Sequence, residues 1–157
     1  LDPTRLMIDA SGGYHVVEPD VYDSHNYEQN VVRFKEAYDG LLATPPRVFV
    51  NGVRERHTPY KGQPYFVSEY GGIWWNPGQQ DDKAWGYGDR PKSPEEFLER
   101  YKALTEALLF NQKIAGFCYT QLYDIEQEVN GLYSFDRQPK FDPAFFFKVN
   151  QQKSAIE

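Results

Sequence analysis

The sequence predicts an α/β fold in which a parallel sheet is covered by helices. Short apolar runs rich in β-branched and aromatic residues alternate with segments whose apolar residues recur at helical spacing. Pro64-Tyr-Phe-Val-Ser-Glu-Tyr-Gly-Gly72 reads as a strand packed on both faces that stops in a carboxylate, an aromatic ring and two glycines. Ser93-Pro94-Glu95-Glu96 is a capping box with proline at the first helical position, and Phe97, Tyr101, Leu104 and Leu108 follow on one face. Four such strand and helix units fit either a small open sheet or half of an eight-stranded (β/α) barrel. In either fold, a charged side chain at the C-terminal end of a strand stands where chemistry is done, which singles out Glu69.

Arg5-Leu-Met-Ile-Asp9 reads as a first strand, and Ser11-Gly12-Gly13 as the turn after it. A second strand, Asp20 to Tyr27, is unusually polar, which points to its pore or its ligand end. It leads into a helix over 28–42, with Val32, Phe34, Ala37, Tyr38 and Leu41 on one face. Residues 43–63 carry turn chemistry around one apolar run, Val48-Phe-Val50, and read as an irregular excursion. After the strand to Glu69, the loop 73–92, with Trp74, Trp75 and Trp85, is long enough to be functional. Ile114 to Leu122 is the last buried strand. Beyond it lie an acidic, turn-rich segment with Asn130-Gly131 as a turn, a short extended run Leu132 to Phe135, and a helix capped by Asp142-Pro143 that buries Phe145, Phe146 and Val149.

The 157 residues suit one domain, residues 1–157, and the opening without methionine straight into a strand suggests a piece of something longer. A net charge of -6 without a basic cluster argues against a nucleic-acid partner. No apolar stretch reaches the length of a membrane span. The single cysteine, Cys118, excludes an internal disulfide and reads as a small buried apolar residue. His15 and His57 read as surface residues, and Asp124, Glu126 and Glu128 most simply as a solvated acidic edge. Three scattered histidines and one cysteine give no metal-site spacing, and no glycine-rich phosphate loop calls for a nucleotide, so no cofactor is expected. Aromatic residues make up 17% of the chain, more than a core demands, and part of that surplus suits a sugar cleft, because flat rings pack on the C–H faces of sugars.

Four segments in this order, Asp20 to Tyr27 ending in Ser-His-Asn-Tyr, Val67-Ser-Glu-Tyr-Gly-Gly72, Gly116-Phe-Cys-Tyr-Thr-Gln-Leu-Tyr-Asp-Ile-Glu-Gln-Glu-Val-Asn-Gly-Leu-Tyr133 and Asp136-Arg-Gln-Pro-Lys140, closely resemble family 2 glycoside hydrolases. The resemblance spans nearly the whole chain. It implies the C-terminal half of a (β/α)8 TIM barrel, about strands five to eight. It further implies that Glu69 is the catalytic nucleophile, that Tyr27 hydrogen-bonds it, and that Tyr119 and Gln121 lie beneath the bound sugar. For Asp124, Glu126 and Glu128 it implies a region that closes the rim of the active site. By the same resemblance the parent is a secreted or periplasmic glycan degrader.

A retaining glycosidase needs one carboxylate to attack the anomeric carbon and a second about 5 to 5.5 Å away as acid and base. In the family the second follows an asparagine on strand four, and no Asn-Glu occurs in this chain. The expected partner is therefore a carbohydrate, together with the N-terminal half of the barrel in a parent protein or a second copy of the chain covering the open edges. The chain alone is expected to be inactive. A non-catalytic carbohydrate-binding relative of the same barrel is the alternative. Taken without the resemblance, Glu69 reads equally as a strand-end carboxylate paired with an arginine. His25 binds a sugar hydroxyl or simply fixes its strand end. Trp74 and Trp75 wall the cleft or pin their loop to the barrel.

Overall fold

The computed structural model describes residues 2, 4–78 and 83–157. Three parallel strands, β1 (Tyr22–Asn26), β2 (Tyr65–Gly71) and β3 (Ile114–Thr120), form one sheet in the order β1-β2-β3. Three α-helices, α1 (Val31–Asp39), α2 (Pro94–Leu109) and α3 (Pro143–Asn150), alternate with them. The core lies between sheet and helices. It is built from Tyr22, Tyr65, Val67, Tyr70 and Ile114 of the sheet and Phe34, Tyr38, Phe97, Tyr101, Leu104, Leu108, Phe146 and Val149 of the helices.

Capping chemistry sets the helix ends. Asn30 Oδ1 accepts from the amides of Val32 and Arg33, so α1 begins three residues after the expected start. It stops at Gly40, beyond which Gly40–Leu42 tightens into a 3-10 turn. Ser93 Oγ accepts from Glu96 N, and the Glu96 carboxylate reaches back to Lys92 N, so the capping box closes one residue upstream of its usual partner. Asp142 Oδ1 caps α3 through Ala144 N.

Among the described residues, three strands stand where four were expected. Arg5–Asp9 is not a strand: its regular contacts are limited to Met7, whose carbonyl accepts from Asp20 N and Val21 N and whose amide donates to Asp20 Oδ2. Leu6 is 75% exposed, and Met7 and Ile8 are also exposed, so the run buries too little apolar surface to hold extended structure. The run Leu132 to Phe135 is likewise reduced to isolated bridges at Tyr133.

The irregular excursion over 43–63 closes the outer edge of β1 with side chains. Asn51 Oδ1 accepts from His25 N at 3.0 Å, and Asn51 Nδ2 donates to His25 O at 2.7 Å, as a neighbouring strand would. His15 Nε2 faces Asp23 O at 3.0 Å on the same edge. His15 is completely buried, against the expectation of a surface residue, and its other ring nitrogen lies 2.5 Å from Asp9 Oδ1. Asp9 and the Asp23 carbonyl thus give both nitrogens of the buried ring polar partners.

Candidate active site at the end of the second strand

The pairing of β1 with β2 is in register from Tyr22↔Tyr65 to Ser24↔Val67 and resumes at His25↔Glu69. Ser68 is the extra residue of a β-bulge. Large buried side chains accordingly fall at 65, 67 and 70, and Ser68 and Glu69 both reach the polar residues of β1. Bulges of this kind re-aim side chains next to active sites.

Glu69 lies where the strand ends, and its side chain remains partly open to solvent. Two residues converge on one of its oxygens. The Tyr27 hydroxyl donates to Oε2, and His25 Nδ1 stands 3.1 Å from the same atom. Oε1 receives neither. Tyr27 is held in turn: its ring stacks on Tyr87 at 3.6 Å and 4°, and its hydroxyl also reaches Thr120 Oγ1 at 3.4 Å. Burial first, and then the bond to Glu69, pushes the Tyr27 phenol well above the ordinary tyrosine range, so it remains a donor. Gly72, at φ +60°, lets the chain pass under these rings, because a Cβ there would lie 2.4 Å from Tyr87 and 3.0 Å from Tyr27.

The structure thus brings Glu69, Tyr27 and His25 together. Tyr119 packs against Tyr70 and Tyr101 on the side the helices cover, with its hydroxyl accepting from Ile73 N at 3.3 Å. It belongs to the core layer instead of lying beside Glu69. Gln121, just past β3, is half-buried, and its amide nitrogen has no hydrogen-bond partner among the described residues. Trp75 is buried against Phe141, and its amide donates to Val129 O at 2.9 Å, so it pins its loop to the core. Trp74 is half-buried under the Arg90 guanidinium, which lies 5.7 Å from the ring centre. Cys118 is exposed on β3, not buried as expected.

The residues that sequence reasoning missed are Ser11, Tyr87 and Thr120. Thr120 had a signal. Phe117 and Tyr119 are the large side chains of β3 and take the core face, so Thr120 falls on the opposite face, where its Oγ1 meets the Tyr27 hydroxyl.

Behind the site, the loops after β2 and β3 are joined by a buried ion pair. Lys140 Nζ lies 2.6 Å from Asp124 Oδ1, and the carboxylate also accepts from Gly131 N at 2.9 Å and Asn76 Nδ2 at 3.0 Å. Asp124 is therefore a structural anchor and not part of a solvated edge. Burial lowers the Lys140 ammonium pKa below its ordinary value, against the opposing pull of Asp124.

No family model and no curated protein matches this sequence. Solved structures do. The crystal structure of Bacteroides uniformis β-glucuronidase aligns at 17% identity and a TM-score of 0.53, over 83% of this chain and 15% of that one. Lactobacillus rhamnosus β-glucuronidase aligns at 16% and 0.57, over 87% of this chain and 23% of the other, and Faecalibacterium prausnitzii β-glucuronidase at 14% and 0.54, over 87% and 22%. The chain spans less than a quarter of the length of these proteins. At this identity the likeness is one of fold: three parallel strands with three helices, an arrangement similar to part of a β-glucuronidase.

Proposed function

We propose that this chain is the nucleophile-bearing portion of a retaining β-glycosidase, the C-terminal half of a (β/α)8 barrel in which β1, β2 and β3 are strands six to eight and Arg5–Asp9 takes the place of strand five. The observation that carries this reading is the convergence of the Tyr27 hydroxyl and His25 Nδ1 on Glu69 Oε2 at the C-terminal end of a parallel strand, which leaves Oε1 for attack. The likeness in fold to part of a β-glucuronidase supports it.

In this reaction Glu69 Oε1 bonds to the anomeric carbon as the bond from that carbon to the aglycone oxygen breaks. The departing oxygen takes a proton from an acid that this chain does not carry. The same group then accepts a proton from water, whose oxygen attacks the anomeric carbon and releases the Glu69 carboxylate. The site is completed by the N-terminal half of the barrel in a longer parent protein; a second copy of the chain would cover the open strand edges without supplying the acid. In that barrel strand one pairs at the outer edge of β3, while the outer edge of β1 is already met by Asn51 and His15.

Two experiments test this. The 157-residue chain should leave an aryl β-glycoside intact, and hydrolysis that Glu69→Gln abolishes would refute the claim of incompleteness. In a longer protein carrying the sequence, a 2-fluoro glycoside with a good leaving group should leave a sugar ester on Glu69 in peptide mass mapping. An ester on another carboxylate would refute the assignment of the nucleophile.

A further inference from the structure

A polar chain runs behind Glu69 through residues that the reaction above does not use. His25 Nδ1 faces Glu69 Oε2 at 3.1 Å, and His25 Nε2 faces Ser11 Oγ at 3.0 Å. Ser11 Oγ lies 3.5 Å from Ser68 Oγ, and Ser68 donates its own proton to Asp23 Oδ2. Proton counting gives this chain a direction. An ionised Glu69 is an acceptor only, so His25 Nδ1 must carry the proton between them. A neutral imidazole then presents a bare Nε2, which requires a donor. Ser11 is the residue placed to supply it, because the Ser68 proton is already committed to Asp23.

We propose that Ser11 is a positioning residue that holds His25 in its Nδ1–H tautomer and so aims a second hydrogen bond at Glu69 Oε2. Ser11 also accommodates the charged ring. When His25 gains a proton, Nε2 becomes a donor to Ser11 Oγ, and the Ser11 hydroxyl rotates to Ser68 Oγ, which has a lone pair to offer. Nδ1 donates to Glu69 in both states. Oε2 therefore stays doubly bonded, and Oε1 remains the free oxygen across the titration of the ring. The groups facing His25 from its surroundings are Glu69 on β2, Tyr27 beyond the end of its own strand at a ring distance of 6.5 Å, Ser11, and, through Ser68, Asp23.

The loop that carries Ser11 is built to hold it there. Asp9 Oδ2 accepts from Val16 N at 2.8 Å and Val17 N at 3.2 Å, while its other oxygen takes His15. Gly12 N donates to Asp23 Oδ2 at 3.0 Å. At φ +62°, Gly12 lies directly against the His25 ring, where a Cβ would come within 2.2 Å of Cγ. The backbone next to Ser11 thereby forms the seat of the imidazole.

The catalytic meaning of this arrangement rests on Glu69 being the nucleophile, but the tautomer can be read without activity. The test is 15N NMR of the histidine-labelled 157-residue chain, at a pH where the His25 ring is neutral, for the wild type, Ser11→Ala and Ser11→Thr. The expected result is a protonated Nδ1 and a bare Nε2 in the wild type and in Ser11→Thr. In Ser11→Ala the proton should move wholly or partly to Nε2, while the His15 and His57 signals stay in place as a control for folding. A wild-type ring protonated at Nε2 overturns the proposal by itself, and so does a folded Ser11→Ala chain with an unchanged tautomer. A correct tautomer with no sugar ester on Glu69 would leave Ser11 in its role and overturn only the glycosidase reading.

Discussion

Lys140→Met isolates the anchor that joins the loops behind the site. The side chains of Lys140 and Asp124 are 5% and 1% exposed, and Nζ donates to Asp124 Oδ1 at 2.6 Å, to Val129 O at 3.3 Å and to Trp75 O. Removing the ammonium leaves a buried carboxylate with the Gly131 and Asn76 donors but no cation, a change that costs about 3–5 kcal/mol in buried pairs. For a chain of this length that corresponds to a fall in Tm of roughly 6–20 °C. The pair is not predicted to beat an apolar replacement, because burial lowers the Lys140 pKa despite Asp124, which means that desolvation outweighs attraction at that ammonium. Adding Asp124→Asn to Lys140→Met should therefore restore stability: it removes the unpaired charge and keeps an oxygen for Gly131 N. Urea unfolding followed by tryptophan fluorescence and by circular dichroism measures all three chains. The reasoning fails if Lys140→Met loses less than about 1 kcal/mol, the value of an exposed pair, or if the second substitution lowers stability further.

Gly71→Ala combines a left-handed backbone, φ +84°, with a Cβ 2.2 Å from the Tyr119 ring, so a loss of roughly 2–5 kcal/mol is expected in the same urea assay. Asp9 gives the acid limb of stability. Burial raises its pKa, but the hydrogen bonds from His15, Val17 and Val16 together outweigh burial and bring it below the ordinary value. A folded pKa below the unfolded one contributes stability that is present above about pH 4 and is lost as pH falls through the folded value; Asp9→Asn should flatten that decline in urea midpoints measured from neutral to acidic pH. Tyr27→Phe removes a hydrogen bond to a carboxylate worth about 1.5–3 kcal/mol. In a longer protein with glycosidase activity it should lower kcat roughly 10- to 150-fold, and unchanged kinetics would detach Tyr27 from the nucleophile.

What was legible in the sequence was what the chain encodes locally. The α2 start could be read because Ser93, Pro94 and Glu96 satisfy the first turn within four residues, and Asp142-Pro143 did the same for α3. Arg5–Asp9 has the composition of a strand but needs a neighbour to pair with, which no local pattern supplies. The burial of His15 and Asp124 depends on partners 8 and 16 residues away, so both read as surface polar groups until the fold closed. Glu69 stands out by its place at a strand end, its role and that of Tyr27 come only through the resemblance, and the pairing of His25 with Glu69 across two strands follows from register.

The parity of the site strands had a signal that period-two counting passes over. Regular alternation from Tyr65 and Val67 puts Glu69 with the core and Tyr70 outside it, which no carboxylate tolerates unpaired. The large side chains instead step by two and then by three, to Tyr70, and that odd step is the mark of one skipped residue. The skipped residue is Ser68. Because it is skipped, Ser68 reaches Asp23 while Glu69 reaches His25 and Tyr27. The same break in alternation that hides the site from a strand pattern is what assembles it, since a regular strand would deliver either the serine or the glutamate to the polar end of β1, but not both.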